Sequence, residues 1–199
     1  MPESVIAKIE TFIVSQTESG EFVSLPRDAP YHVIAAMVKP TKLLYTTKMS
    51  AFRGKLLPAL PLDCSLVSRY GLPASHDVSM LGRLSASLPI SFLGDLDPVD
   101  LLNFAWLRAK FPAGKVHLSG IRDRLLQELT PAEKTQCLID FDPSEVDAIP
   151  LLYEVLPDLA DLIGPESYEL IKSHRKIELE GLINLHEWQP DYFYRILFG

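Results

Sequence analysis

The sequence is short of several things, and each shortage removes a class of protein. It has two cysteines, Cys64 and Cys137, with no ligand-type spacing. That argues against a zinc site and points to a reducing compartment. His32, His76, His117, His174 and His186 are scattered, and His186-Glu187 lacks the second histidine of a helical zinc motif. No apolar run reaches the ~18 residues of a membrane helix. Met1 to Thr11 carries acidic residues and no signal-peptide pattern, so the expected location is cytoplasmic, with no membrane partner. There is no Gly-rich phosphate loop, no internal repeat and no low-complexity segment. Positive charge is also scarce: the net charge is −7. That is the wrong sign for a dedicated nucleic-acid binder, although a local basic patch stays open. Apolar residues are abundant, at 47% of 199 residues. A sizeable core is expected, in one domain or one with an appendage.

The chain reads as strands alternating with helices. Residues 3–15 place Val5, Ile6, Ile9, Phe12 and Ile13 at helical spacing. Residues 16–31 read as a loop, with a short strand at 22–25. Residues 32–38 suit a strand or a short buried helix, ended by Pro40. Strands are expected at 43–47, 64–68, 90–94 and 115–118, with helices at 49–57, 77–88 and 99–111. This alternation predicts βαβ units and one parallel sheet, with 90–94 in its interior. After Gly120 short helices follow at 121–129 and 131–139. The first residues of the latter, Thr130-Pro131-Ala132-Glu133, have the form of a capped helix start. Pieces broken at Pro150 and Pro157 fill 143–162. The longest helix is expected at 166–188, and an aromatic tail at 191–199 docks on the core.

The most informative stretch is Leu88-Pro89-Ile90-Ser91-Phe92-Leu93-Gly94-Asp95-Leu96-Asp97-Pro98. It reads as a buried strand, an acidic turn and a helix with Pro98 at its first position. Ligand sites in open parallel sheets lie beyond the carboxyl ends of strands. Two carboxylates spaced i, i+2 on extended backbone point to one side and suit a hard cation such as Mg²⁺. Asp97 before Pro98 is equally a good N-cap, and Asp95 equally suits a solvated strand end. Both readings stand at this level.

Asp95-Leu96-Asp97-Pro98 after a hydrophobic strand resembles the Asp-x-Asp motif of Toprim domains. The similarity is to the topoisomerase VI A subunit, its meiotic double-strand-break relative and the JetD nuclease of Wadjet defence systems. Other segments follow in the same order. Thr47-Lys48-Met49-Ser50-Ala51-Phe52 resembles a Glu-Lys strand end followed by a helix-opening Phe, with Thr47 at the glutamate position. Gly71-Leu72-Pro73 resembles the next strand's Gly-x-Pro, but Ala74 and Val78 stand where Asp and Arg often follow. Leu118-Ser119-Gly120-Ile121 and Arg175 to Leu182 resemble later segments, the second a helix. The resemblance implies a Toprim-like (Rossmann-like) α/β parallel sheet flanked by helices. Its divisions would be an N-terminal helix and lead-in at 1–42, a core at 43–120 and a helical extension at 121–199. It also implies metal ligands at Asp95 and Asp97, with Asp100 replacing a family glycine as a third candidate. Lys48, Arg69 and Arg83 would form a phosphate or DNA rim.

The departures decide the functional expectation. Thr47 cannot supply a charge or titrate near neutrality. Residues 1–42 lack the winged-helix domain that carries a nucleophilic tyrosine. The expected protein is therefore a non-catalytic interaction or regulatory module of a DNA-processing or defence complex, with Mg²⁺ binding weak or absent. The alternative is a Mg²⁺-dependent nuclease or topoisomerase-type phosphotransfer enzyme using Asp95 and Asp97. DNA, a protein of such a complex, or a second copy of the chain are the partners to test. Two other motifs carry little. Ser75-His76-Asp77 holds triad residue types, but adjacent side chains diverge. Lys172, His174, Arg175 and Lys176 read as a solvated helix face.

Overall fold

Side-chain alternation along the strands builds a two-sided sheet. The computed structural model describes residues 1–18, 32–49, 56–69, 71–73, 75–185 and 189–198. Its five-stranded sheet comprises β1 (His32–Ile34), β2 (Lys42–Thr46), β3 (Cys64–Ser68), β4 (Ile90–Leu93) and β5 (Val116–Leu118). The order is β1-β3-β2-β4-β5. Strands β2 to β5 are parallel, and β4 lies inside between β2 and β5, with Tyr45 opposite Phe92 and Ile90 opposite Val116. The expected α/β architecture is present: a mostly parallel, Rossmann-like sheet flanked by helices. The ambiguous segment at 32–38 supplies β1, which runs antiparallel on β3 and forms one edge.

Each face of the sheet has its own core. Leu43, Tyr45, Ile90 and Phe92 face α1 (Glu3–Glu18) and α3 (Pro98–Lys110), with Ile9, Phe104 and Leu102 in the same cluster. The Phe92 and Phe104 rings meet edge-on, with centroids 5.6 Å apart. Leu44, Leu66 and Leu93 face the other way, onto Phe193, Tyr194 and Leu197 of α10 (Pro190–Phe198). The aromatic tail is thus a docked helix. Between β3 and β4 the chain forms α2 (Ser75–Leu84), shorter than the expected helix. No helix among the described residues is long and apolar enough to cross a membrane. The expected strand at 22–25 and most of the expected helix at 49–57, including Phe52, lie outside the described residues.

The C-terminal half departs from expectation in three places. A short α4 (Asp123–Leu126) leads to α5 (Pro131–Cys137), which starts at the expected Thr130–Glu133 capping box. It stops before β6 (Leu138–Asp140) rather than continuing to 139. Next, α6 (Pro143–Val155) runs through Pro150 without a break. A mid-helix proline loses one hydrogen bond, but Ala148 and Leu152 on either side are fully buried and hold the helix against its neighbours.

The expected longest helix does not exist. After α7 (Leu159–Ile163), α8 (Pro165–Lys172) ends where the Ser173 hydroxyl donates to the Glu169 carbonyl at 2.8 Å. His174 then takes a left-handed φ of 56°. The chain continues as β7 (Arg175–Ile177), antiparallel to β6, and as α9 (Leu179–Ile183). Arg175 pairs with Asp140 at 2.9 Å, and Lys176 with Glu145 at 2.8 Å. Arg175 and Lys176 are therefore spent on cross-strand and strand-to-helix ion pairs, while Lys172 pairs with Glu169 within its own helix.

Candidate metal centre

The acidic turn sits where β4 delivers it, at the carboxyl end of an interior parallel strand. Pro98 opens α3, and the Asp97 carboxylate caps it by accepting the Asp100 amide at 2.7 Å. That cap folds the turn back so that Asp100, in the first helical turn, lies beside Asp95. Asp100 Oδ2 accepts the Asp95 amide at 2.8 Å. Asp95, Asp97 and Asp100 are all buried, and each offers a carboxylate oxygen within 4.8 Å of the others. The Asp95 reading as a solvated strand end is therefore corrected: packing of α3 and the C-terminal segment closes over it.

The neighbouring strand end completes the pocket. Thr47 Oγ1 donates to Asp100 Oδ1 at 2.9 Å. Lys48 Nζ stands 2.5 Å from Asp95 Oδ2 and 3.4 Å from Asp100 Oδ2. From across the molecule, the Leu179 amide donates to Asp95 Oδ1 at 2.7 Å. The Leu96 amide donates to the Ile177 carbonyl at 3.0 Å, which ties β7 over the turn. Asp97 Oδ2 is the carboxylate oxygen of the cluster that receives no donor among the described residues.

Burial dominates the electrostatics. It raises the Asp95 carboxyl to about 7, with Lys48 opposing and Asp100 adding to the rise. Asp97 is held well above the ordinary carboxylate range by burial and then by Asp100, again against Lys48. Burial works to lower the Lys48 ammonium, but Asp100, Asp95 and Asp97 outweigh it and leave it raised. One lysine offsets one of three formal negative charges. The cluster relieves the remainder by holding protons, or by taking a cation. Its all-oxygen donors can hold a metal ion.

The structure brings Thr47, Lys48, Asp95, Asp97 and Asp100 together. Lys48 turns inward to the acids rather than outward to a rim. Arg69, one residue beyond β3, is paired with buried Asp77 at 2.8 Å. Arg83 is exposed in the last turn of α2, which leads toward the start of β4, and is not brought to the pocket. Leu179 was invisible to sequence reasoning, because a backbone amide leaves no residue-type signal. Glu145 was also missed. It is buried on α6, paired with Lys176, and adds to the rise at Asp97.

Gly94 is the tightly packed glycine of this pocket. A Cβ there would lie 2.9 Å from Asp100 Oδ2 and 3.0 Å from Asp100 Cβ. Gly94→Ala must push Asp100 off the Asp95 amide. It is expected to destabilise by about 1–3 kcal/mol, as overpacking does. Urea midpoints of the two proteins check this; an unchanged midpoint would show that the turn has slack.

The fold and pocket together define an α/β protein with a buried carboxylate cluster at the carboxyl end of a parallel sheet. No protein-family model matches the chain, and no curated protein matches it.

Proposed function

We propose that the chain is a Toprim-like module whose acidic pocket is neutralised from within, and that it acts by interaction or regulation in a DNA-processing or defence assembly. The observation that carries this is Lys48. Its ammonium stands 2.5 Å and 3.4 Å from two of the three converging acids, so it already supplies them with a counter-charge. Thr47, at the position where the resemblance calls for an acid, spends its hydroxyl on Asp100. The strand-end position beside the three carboxylates is thus held by a group that cannot act as a general base near neutrality. General acid–base help of the usual kind, about 10²–10⁴ in rate, is missing there. The donor set fits a hard cation, but Mg²⁺ must displace Lys48 or share the cluster with it. Binding is therefore expected to be weak or absent.

One observation favours the alternative enzyme reading. The three carboxylates converge, with Asp97 Oδ2 undonated, and they retain charge that a single lysine does not offset. A bound Mg²⁺ would supply charge stabilisation to a transferring phosphate, with Asp95, Asp97 and Asp100 as its protein ligands. Titration calorimetry with Mg²⁺ and Mn²⁺, beside a plasmid-nicking assay, decides between them. Heat below detection and intact plasmid are expected for the natural chain. Metal-dependent nicking that disappears in Asp95→Ala overturns the non-catalytic reading.

A further inference from the structure

We infer that the cleft between the carboxyl ends of β4 and β5 and helix α10 is a phosphate-binding site, with Arg122 and Arg124 as its anion-holding residues. Leu93, Ser119, Gly120 and the two arginines line one side of this cleft, and Phe193 stands opposite on α10. It lies at the end of a parallel sheet where ligand sites form. It adjoins the acidic turn, since Leu93 stands two residues before Asp95, but its anion-holding groups are cationic and need no metal.

Arg122 and Arg124, like Arg83 and Arg195, are in no ion pair among the described residues, but these two share one cleft. Acids outnumber bases, 26 against 19, and Arg69, Arg108 and Arg175 each face a carboxylate at 2.8, 3.2 and 2.9 Å. Arg122 and Arg124 face none among the described residues. Asp123, between them in sequence, is turned away: its carboxylate accepts the Glu166 amide at 3.1 Å and the Ser167 amide at 2.7 Å. Arg122 is half-buried, and burial and the like charge of Arg124 both press its pKa downward. Two guanidinium forks in one cleft repel until an anion joins them. A carboxylate fills one fork. A phosphate has oxygens for both and matches the planar, bidentate geometry of each.

The surroundings suit that ligand. Gly120 packs its backbone closely against the end of β4, where a Cβ would come within 3.0 Å of the Gly94 carbonyl oxygen. Ser119 offers a neutral donor. Phe193 and Leu197 give the cleft an apolar wall.

Binding of inorganic phosphate and of a 5′-phosphorylated single-stranded oligonucleotide is measured in EDTA, so that cation binding plays no part. Both arginine-to-alanine variants, Arg122→Ala and Arg124→Ala, are expected to weaken binding by about tenfold or more. Arg122→Lys, which keeps the charge but loses the fork, should fall between. Arg124 is exposed, so Arg124→Ala reports even where Arg122→Ala folds poorly, as thermal melting reveals. Competition by inorganic phosphate supports a small phosphate ligand. Oligonucleotide binding that phosphate does not displace supports a strand phosphate, with the salt dependence that implies. A natural chain that binds neither probe, or variants that bind as well as it does, overturns the assignment.

Discussion

Lys48→Met is expected to destabilise the protein by about 3–5 kcal/mol at pH 7 in EDTA, the usual cost of leaving a buried charge without its partner. The substitution keeps most of the side chain's volume and removes only the ammonium. Asp95 and Asp100, with side chains 2% and 7% exposed beside Lys48, then have no cation near them. Asp95, already raised by burial, relaxes by taking up a proton, so the loss should shrink as pH falls. The same variant opens the pocket to metal. Millimolar Mg²⁺ should raise its melting temperature, because a ligand that binds only the folded state stabilises it in proportion to RT ln(1 + [L]/Kd). The natural chain should gain little from the same addition. Two outcomes would count against this account. If Lys48→Met melts within about 1 kcal/mol of the parent in EDTA, the lysine is not the counter-charge. If Mg²⁺ stabilises the natural chain strongly, the cation site is already open and the enzyme reading gains.

The parallel sheet was legible because its signals are local. Short apolar runs, each bounded by turn residues and followed by a helical period, leave few topologies open, and the β4 run, apolar but for Ser91, suits an interior strand. The Asp97-Pro98 start was legible for the same reason: a cap acceptor and a fixed φ act within one turn. The direction of Lys48 was not legible. A lysine one residue past a strand end reads equally as rim or as counter-ion until the acids beside it are buried. The closure of the site was also hidden. It depends on β7 and α9, where the apolar residues at 171, 179, 182 and 183 fit a helical period and Ile177 does not. The left-handed His174 and the pairing of Arg175 and Lys176 with acids on other elements break that period. Such long-range pairing overrides local propensity, and it carries the Leu179 amide to Asp95.

Acidification from pH 7 to pH 5 in EDTA is expected to stabilise the protein, against the ordinary trend. The Asp95 carboxyl is raised from 3.8 in the unfolded chain to about 7 in the folded one. Between those values the folded chain holds a proton that the unfolded chain has released. Stability therefore falls as pH rises through that window, is fully present below about 4, and levels off above about 7. One such proton is worth about 2 kcal/mol between pH 5 and pH 7. For a chain of this length that corresponds to a rise in Tm on the order of 4–8 °C at the lower pH. Asp97 and Glu145, also raised by burial, act in the same direction. Glu10, Asp63, Glu133 and Asp142 are lowered, so their opposing losses come only below the ordinary carboxylate range. Asp97→Asn removes the share that Asp97 adds. Asparagine keeps an acceptor for the Asp100 amide and remains a good N-cap, but it cannot titrate. The variant should be at least as stable as its parent at pH 7, and its melting temperature should depend less on pH. A natural chain that loses stability steadily from pH 7 to pH 5 would show that the cluster is ionised and hydrated rather than buried and protonated.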